Sequence, residues 1–345
     1  MTLLALQLAK NCAFTARCGF YRNFLRPPSS SAGNNVLSPS NNTVVRTLKR
    51  RSITQKSRLA PEQEIKPNGE LTYRNLLKPF GFTVAVGACS FGGCMIWQYE
   101  NLRQDSRRLM HRAFHHPFGK AGSIRQQINM HWNQMSPGVK VVSTIIGLNA
   151  GVFLLWRLPR IQPIMMKFFT SNPAKGSRCW SMLLSTFSHY SFFHLAANMY
   201  VLWSFSSVVT HYLGKEQFLG FYLTGGVVSS LMSYLAKTVR PSLVPSLGAS
   251  GAIMAVLGAV CMNYPDAQLS VAFIGDILPH SFSAHSAMIG LLTFDALGLF
   301  LGWRLLDHAA HLGGMLFGIW YVSYGHELIW HNRQKLMKVW HSIRG

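Results

Sequence analysis

The sequence predicts an all-α membrane protein with several spanning helices, and two observations carry this prediction. The chain of 345 residues is 49% hydrophobic and only 13% charged, whereas soluble chains carry about 25% charged residues. Its apolar residues also lie in stretches that lack Lys, Arg, Asp and Glu, close to the ~20 residues that a helix needs to cross a bilayer. We therefore expect a polytopic fold.

The N-terminal region is polar and basic and differs from the rest of the chain. Ten Lys and Arg residues precede the first acidic residue, Glu62, and Ser and Asn are frequent. A basic, Ser-rich and acid-poor N-terminus is typical of a mitochondrial transit peptide, whereas a secretory signal needs one compact apolar segment. We predict that residues 1–75 form a transit peptide and a disordered basic leader; the alternative is a basic arm on a cytosolic protein.

The charged and apolar segments divide the remainder into one extra helix and six core helices. The extra transmembrane helix is predicted at residues 76–99, followed by a basic linker at 100–139. A six-helix core then occupies residues 140–325, and a polar basic tail occupies 326–345. The core spans are predicted at residues 141–156, 192–213, 217–236, 249–262, 284–300 and 308–324.

Polar residues lie at the starts of three of these core helices. His194 and Asn198 lie at the start of the second helix, Ser250 at the start of the fourth and His311 at the start of the sixth. Alternate helices of such a bundle begin on the same side of the membrane. The four side chains are therefore predicted to share one depth.

Small residues predict that the fourth and sixth helices lie close together. Gly251 begins a stripe of small residues on the fourth helix, and Gly314 and Gly318 form a GxxxG pair on the sixth, on the face that carries His311. Small-xxx-small stripes let membrane helices approach closely. Packing alone is the alternative explanation of these stripes.

A serine and a histidine in contact indicate nucleophilic catalysis, because a serine hydroxyl attacks a carbonyl once a base takes its proton. Ser250 is the predicted nucleophile and His311 the predicted base. The oxyanion needs donors already in place, which the Ser250 N–H, His194 and Asn198 can supply. The loop and helix start that support this N–H are formed by Gly248, Ala249 and Gly251.

Four other polar residues need an interpretation. Asp307 is interpreted as the N-cap of the sixth helix, although it can also orient His311 as a third catalytic group. Asp295 lies inside an apolar span and is interpreted as structural, without an identified partner. His308 is a rival base on a different helix face, and His189 is either a guard of water entry or an interfacial residue.

Metals, cofactors and nucleic acids are not expected. The net charge of +22 comes from the leader and the loops rather than from one folded face, and the six cysteines form no CxxC pair. His326-Glu327 followed by His331 resembles a zinc-binding HExxH, but five-residue spacing turns the second imidazole away on an α-helix.

Three motifs resemble those of the rhomboid intramembrane proteases. Gly248-Ala249-Ser250-Gly251 resembles their GxSG motif, and His194-Leu195-Ala196-Ala197-Asn198 resembles their HxxxN motif. Ala310-His311-Leu312-Gly313-Gly314 with Gly318 resembles their AHxxGxxxG motif. The extra helix and the basic leader are similar to the mitochondrial presenilin-associated rhomboid-like branch. Many rhomboids place a Tyr where this chain has Met254.

This resemblance implies a 1+6 rhomboid fold and an intramembrane serine endopeptidase of the mitochondrial inner membrane. The implied partners are the lipid bilayer, single-span mitochondrial membrane proteins as substrates, and an inner-membrane protease or scaffold assembly. The implied processes are mitochondrial dynamics, mitophagy and apoptosis. One alternative is a catalytically silent relative that binds and retains transmembrane helices. A channel or transporter is disfavoured because the chain has no inverted repeat.

Overall fold

The computed structural model describes residues 74–112, 124–173, 179–270 and 281–344, and the predicted leader lies almost wholly outside them. The described part is all-α, as predicted, apart from one short antiparallel strand pair. The α-helices are α1 (Arg74–Arg112), α2 (Ile124–Gln134), α3 (Pro137–Leu155), α4 (Gln162–Phe168), α5 (Cys179–Leu184), α6 (Phe192–Leu213), α7 (Lys215–Val239), α8 (Ser250–Asn263), α9 (Ala284–Phe300), α10 (His308–Trp320) and α11 (Gln334–Arg344). Shorter elements are 3-10 turns at Pro159–Ile161, Ser185–Phe187 and His331–Arg333, a π-helical segment at Tyr321–Trp330, and strands β1 (Gln268–Leu269) and β2 (Phe282–Ser283).

The predicted membrane spans coincide with helices. Among the described residues, four helices (α1, α3, α6 and α7) are long and apolar enough to cross a membrane, and α8 and α9 are shorter apolar helices. The sixth predicted core span begins with α10 and continues into the π-helical segment. The structure is thus a polytopic helical protein, and the count of one plus six spans stays a prediction.

The first helix is longer than its predicted span. It runs to Arg112, well into the segment predicted as a linker, and α2 lies in the same segment. The predicted polar tail contains the helix α11, which packs against α1. Trp340 Nε1 donates a hydrogen bond of 3.0 Å to Glu100 Oε1, and Arg344 forms an ion pair with the same carboxylate. Glu100 therefore links α1, the first helix of the described chain, to α11, the last one.

Helix α8 forms the centre of the bundle. Every residue from Gly251 to Cys261 is buried, as expected for a helix that is apolar on all sides. Helices α6, α7, α9 and α10 pack around it. The residue that opens this buried helix is Ser250.

The backbones of α8 and α10 are in direct contact at two glycines. A Cβ atom on Gly314 would lie 2.0 Å from the carbonyl oxygen of Gly251. A Cβ atom on Gly318 would lie 2.1 Å from the carbonyl oxygen of Ala255. Neither backbone oxygen has room to move aside, because α8 is enclosed by other helices. Only glycine fits at these two positions.

We expect Gly314→Ala and Gly318→Ala each to lower the unfolding free energy by about 1–3 kcal/mol, the usual cost of overpacking a core. The measurement is thermal unfolding in detergent. Gly290→Ala on α9 is the matched control, because a Cβ there meets nothing within 4 Å. Equal effects of all three substitutions would contradict the proposed close packing.

Candidate active site

Ser250 and His311 are in hydrogen-bond contact. Ser250 is the first residue of α8, and His311 lies in the first turn of α10. The distance from Ser250 Oγ to His311 Nε2 is 3.0 Å. His311 Nδ1 faces a carboxylate, so the ring carries its proton on Nδ1 and Nε2 accepts from the serine hydroxyl. This is the arrangement in which an imidazole acts as a base.

A cavity of about 390 Å³ opens beside this pair. Its walls include residues of α6, α7, α8, α9 and α10 and of the loops at residues 240–247 and 302–307. The four residues predicted to share one depth all line it, namely Ser250, His311, His194 and Asn198. Met254, which replaces the Tyr of many rhomboids, lines the same cavity.

The loop before Ser250 is held by backbone contacts. Gly248 has φ +130°, a conformation that favours glycine, and a Cβ there would lie 2.8 Å from His194 Cε1. Its N–H donates to the carbonyl of Ser185 at 2.9 Å. Ser246 forms an isolated bridge with Ser171, with N···O distances of 2.9 and 2.8 Å. The nucleophile loop is therefore fixed on both sides.

His194 and Asn198 are organised by His189, which is fully buried within the protein. Asn198 Nδ2 donates to His189 Nε2 at 2.9 Å, and the Ala249 N–H donates to the same atom at 3.4 Å. The rings of His189 and His194 are 5.0 Å apart in an edge-to-face arrangement. Burial, and then the nearby His194, holds the pKa of His189 well below its usual value. The neutral ring accepts both hydrogen bonds.

The structure identifies the partners of Asp295, which the sequence left unidentified. The residue is 1% exposed, and its Oδ1 lies 3.3 Å from His311 Nδ1 and 2.7 Å from His308 Nδ1. One signal was present in the sequence, since an acidic residue inside an apolar span is a functional candidate by default. Its partners lie on α10, and no spacing rule pairs α9 with α10. The hydrogen bond of His308, the rival base, goes to Asp295 and not to Ser250.

Asp307 caps α10, as predicted. Its Oδ1 accepts from the Ala310 N–H at 3.2 Å, and its Oδ2 accepts from Ser233 at 2.6 Å and also from Ser246. Lys237 lies 3.5 Å from Oδ2. Burial raises the pKa of Asp307, but Lys237 and the hydroxyl donors outweigh burial and lower it to about 2. This cluster ties the loop before Ser250 to the helix that carries His311.

His326 and His331 lie closer than α-helical geometry predicted. Their ring centroids are 4.7 Å apart, because the segment is π-helical and residues five apart share a face in that geometry. The predicted separation of the two rings was therefore wrong. Within the described part of the chain, no group of three or more His, Cys, Asp or Glu residues is placed to hold a metal ion.

Comparisons with known proteins agree with this fold and geometry. A rhomboid domain is matched over residues 176–327. The mitochondrial presenilin-associated rhomboid-like proteins of Mus musculus and Homo sapiens are each 50% identical over 285 residues, which cover 79% of this chain and 72% of the relative. Rhomboid protein 1, mitochondrial, of Saccharomyces cerevisiae is 35% identical over 188 residues, 53% of each chain. The chain belongs to the rhomboid family of intramembrane proteases. Its similarity places it in the mitochondrial presenilin-associated rhomboid-like branch.

Replacing Asp307 tests the cluster at the start of α10. Asp307→Asn keeps an acceptor for the cap but removes the negative charge that faces Lys237, so we expect a loss of about 1–3 kcal/mol in unfolding free energy. Adding Lys237→Met should recover part of this loss, because the positive charge that faced Asp307 is then removed as well. Thermal unfolding of the wild type, the single variant and the double variant measures both effects. A double variant less stable than Asp307→Asn would show that the pairing is not the source of the loss.

Proposed function

We propose that the chain is an intramembrane serine endopeptidase that cleaves single-span membrane proteins of the mitochondrial inner membrane. The observation that carries this proposal is the 3.0 Å contact between Ser250 Oγ and His311 Nε2. Membership of the rhomboid family supports it, because that family consists of intramembrane proteases and their inactive relatives.

The first step is attack by Ser250 on the scissile carbonyl carbon. His311 Nε2 takes the hydroxyl proton as the C–O bond forms, and the carbonyl oxygen becomes an oxyanion. The imidazolium that results has its Nδ1–H beside Asp295 Oδ1, at 3.3 Å. A carboxylate in this position holds the required tautomer and stabilises the positive ring, as in Ser-His-Asp sites. We assign Asp295 this role.

The oxyanion is stabilised at the start of α8. The two amides before Ser250 are already engaged, since the Gly248 N–H donates to Ser185 and the Ala249 N–H donates to His189. The Ser250 N–H, at the helix N-terminus, is thus the backbone donor that we assign, and the helix dipole favours negative charge there. Asn198 has a second amide hydrogen besides the one given to His189. His194 supplies the remaining donor from the cavity wall.

The intermediate then collapses in the usual order for acyl transfer. His311 gives its proton to the leaving amine, the C–N bond breaks, and an acyl ester on Ser250 remains. A water molecule attacks this ester while His311 accepts a proton from it. The acid product leaves, and the proton returns to Ser250.

The substrate must present an extended segment to the cavity. A transmembrane helix has its amides paired internally, so its carbonyl is accessible only after local unwinding. We therefore propose substrates with Gly, Pro or small polar residues near the cleaved bond. The loop at residues 302–307 lines the cavity, and we propose that such a segment enters beside this loop.

The cellular setting follows from the relatives and the leader. The relatives are named as mitochondrial proteins, and the leader has the composition of a transit peptide. We propose residues 1–75 as the import signal and the inner membrane as the location. Inner-membrane protease or scaffold assemblies are the proposed partners, and mitochondrial dynamics, mitophagy and apoptosis are the proposed processes. The second candidate function is a silent relative that retains transmembrane helices, which the Ser250–His311 contact disfavours.

The deciding experiment uses purified protein in liposomes with a single-span substrate. We expect wild type to cut the substrate and Ser250→Ala to abolish cutting without a change in thermal unfolding, because the nucleophile alone is removed. Ser191→Ala is the matched control: this serine lines the same cavity but makes no side-chain cap hydrogen bond. Cutting by Ser250→Ala at the wild-type rate would refute the protease proposal, and binding without cutting by wild type would favour the silent relative.

Asp295→Asn tests the carboxylate. We expect it to lower kcat by up to about 10⁴-fold, the loss seen when the acid of a Ser-His-Asp site is replaced by Asn, because the imidazolium loses its countercharge. Asp307→Asn serves as the comparison, since it should reduce stability more than kcat. Steady-state cleavage in detergent gives both values. Similar kcat losses in the two variants would contradict the assigned roles.

A further inference from the structure

His308 occupies a tight, apolar site at the start of α10. The residue is 3% exposed, and its ring packs on Gly298, where a Cβ atom would lie 2.5 Å from ring atoms. The rings of Phe294 and Trp303 meet it edge to face, at 5.4 and 6.0 Å between centroids. Gly298 lies one turn beyond Asp295 on α9. Helix α9 therefore supplies both the gap at Gly298 that the His308 ring fills and the carboxylate that His308 contacts.

The only polar contact of this ring among the described residues is with Asp295. His308 Nδ1 lies 2.7 Å from Asp295 Oδ1, closer than the 3.3 Å of His311 Nδ1 to the same oxygen. An ionised carboxylate only accepts hydrogen bonds, so both imidazoles present their Nδ1–H to it. The shorter contact makes His308 the closer donor to Asp295 Oδ1.

Packing alone does not account for an imidazole at this position. His308 Nε2 is buried and has no hydrogen-bond partner among the described residues, and a buried polar atom without a partner costs free energy. An apolar side chain of similar volume would fill the space beside Gly298 without that cost. What the imidazole adds is the Nδ1–H given to Asp295.

We propose that His308 is a positioning residue for peptide-bond hydrolysis: its Nδ1–H fixes Asp295 Oδ1 at the place where this oxygen accepts from His311. The inference rests on the proposed function. Two imidazoles thus share one carboxylate oxygen, and only His311 reaches the nucleophile. Without His308, the carboxylate would lose its shorter hydrogen bond and the rotamer that the hydrogen bond selects.

The test compares apolar and amide replacements of His308 in the full chain, reconstituted with the single-span substrate. His308→Leu, with His308→Met as a second apolar variant, should lower kcat by about 10- to 100-fold, the scale of a misplaced catalytic group, with KM changed less than about twofold. His308→Asn should recover most of kcat, because its Nδ2 occupies the place of the imidazole Nδ1. Thermal unfolding identifies any variant that fails to fold.

A double-mutant cycle with Asp295→Asn completes the experiment. If His308 acts through the carboxylate, His308→Leu in the Asp295→Asn background should lower kcat by less than about twofold beyond Asp295→Asn alone. Losses that multiply, or equal losses in the Leu and Asn variants, would overturn the inference, as would a folded Leu or Met variant with wild-type kcat. A wild-type protein that does not cut would overturn the protease proposal and this inference with it. An active wild type with an unaffected Leu variant would overturn only the inference.

Discussion

The backbone contact between α8 and α10 is the constraint on which the site depends. With Gly251 and Ala255 of one helix against Gly314 and Gly318 of the other, the main chains of the two helices are in direct contact. Ser250 precedes the first contact on α8, and His311 precedes it on α10. The distance between hydroxyl and imidazole is therefore set by main-chain contact, which is far stiffer than side-chain packing. A methyl group at either glycine would push the two helices apart and weaken the Ser250–His311 hydrogen bond.

A second constraint is that polar groups in an apolar bundle must satisfy one another. The carboxylate of Asp295 is shared by two imidazoles, and the amide of Asn198 is held by His189. Asp307 is held by hydroxyl groups and by Lys237. In an environment of low dielectric constant, each such hydrogen bond is stronger than in water, and each missing partner is more costly. The polar groups are consequently fixed before a substrate arrives, as electrostatic stabilisation of an oxyanion requires.

The sequence was sufficient for the parts of the fold that rest on local pattern. Apolar stretches predicted helices that the structure contains, and helix parity brought Ser250 and His311 to one depth because direction alternates along a bundle. The cap at Asp307 followed from its position before an apolar run. The length of α1 was missed because its polar half is stabilised by α11, a contact between residues more than 200 positions apart. The partners of Asp295 were missed because they lie on the next helix, and no spacing rule pairs a residue of α9 with one of α10. The approach of His326 and His331 was missed because π-helical backbone has no simple sequence signature.

The position of the site at helix starts follows from the chemistry of the backbone in lipid. Inside a membrane helix every N–H is paired, and only the first turn leaves N–H groups free. A backbone donor for an oxyanion is therefore available only where a helix begins. Ser250 meets this condition as the first residue of α8. The histidine that acts as its base must lie at the same depth in the membrane, and His311 does so from the first turn of α10. The carboxylate faces a different requirement, because it contacts only the imidazoles. Asp295 can therefore lie inside α9 rather than at its first turn, in the wall of the same cavity.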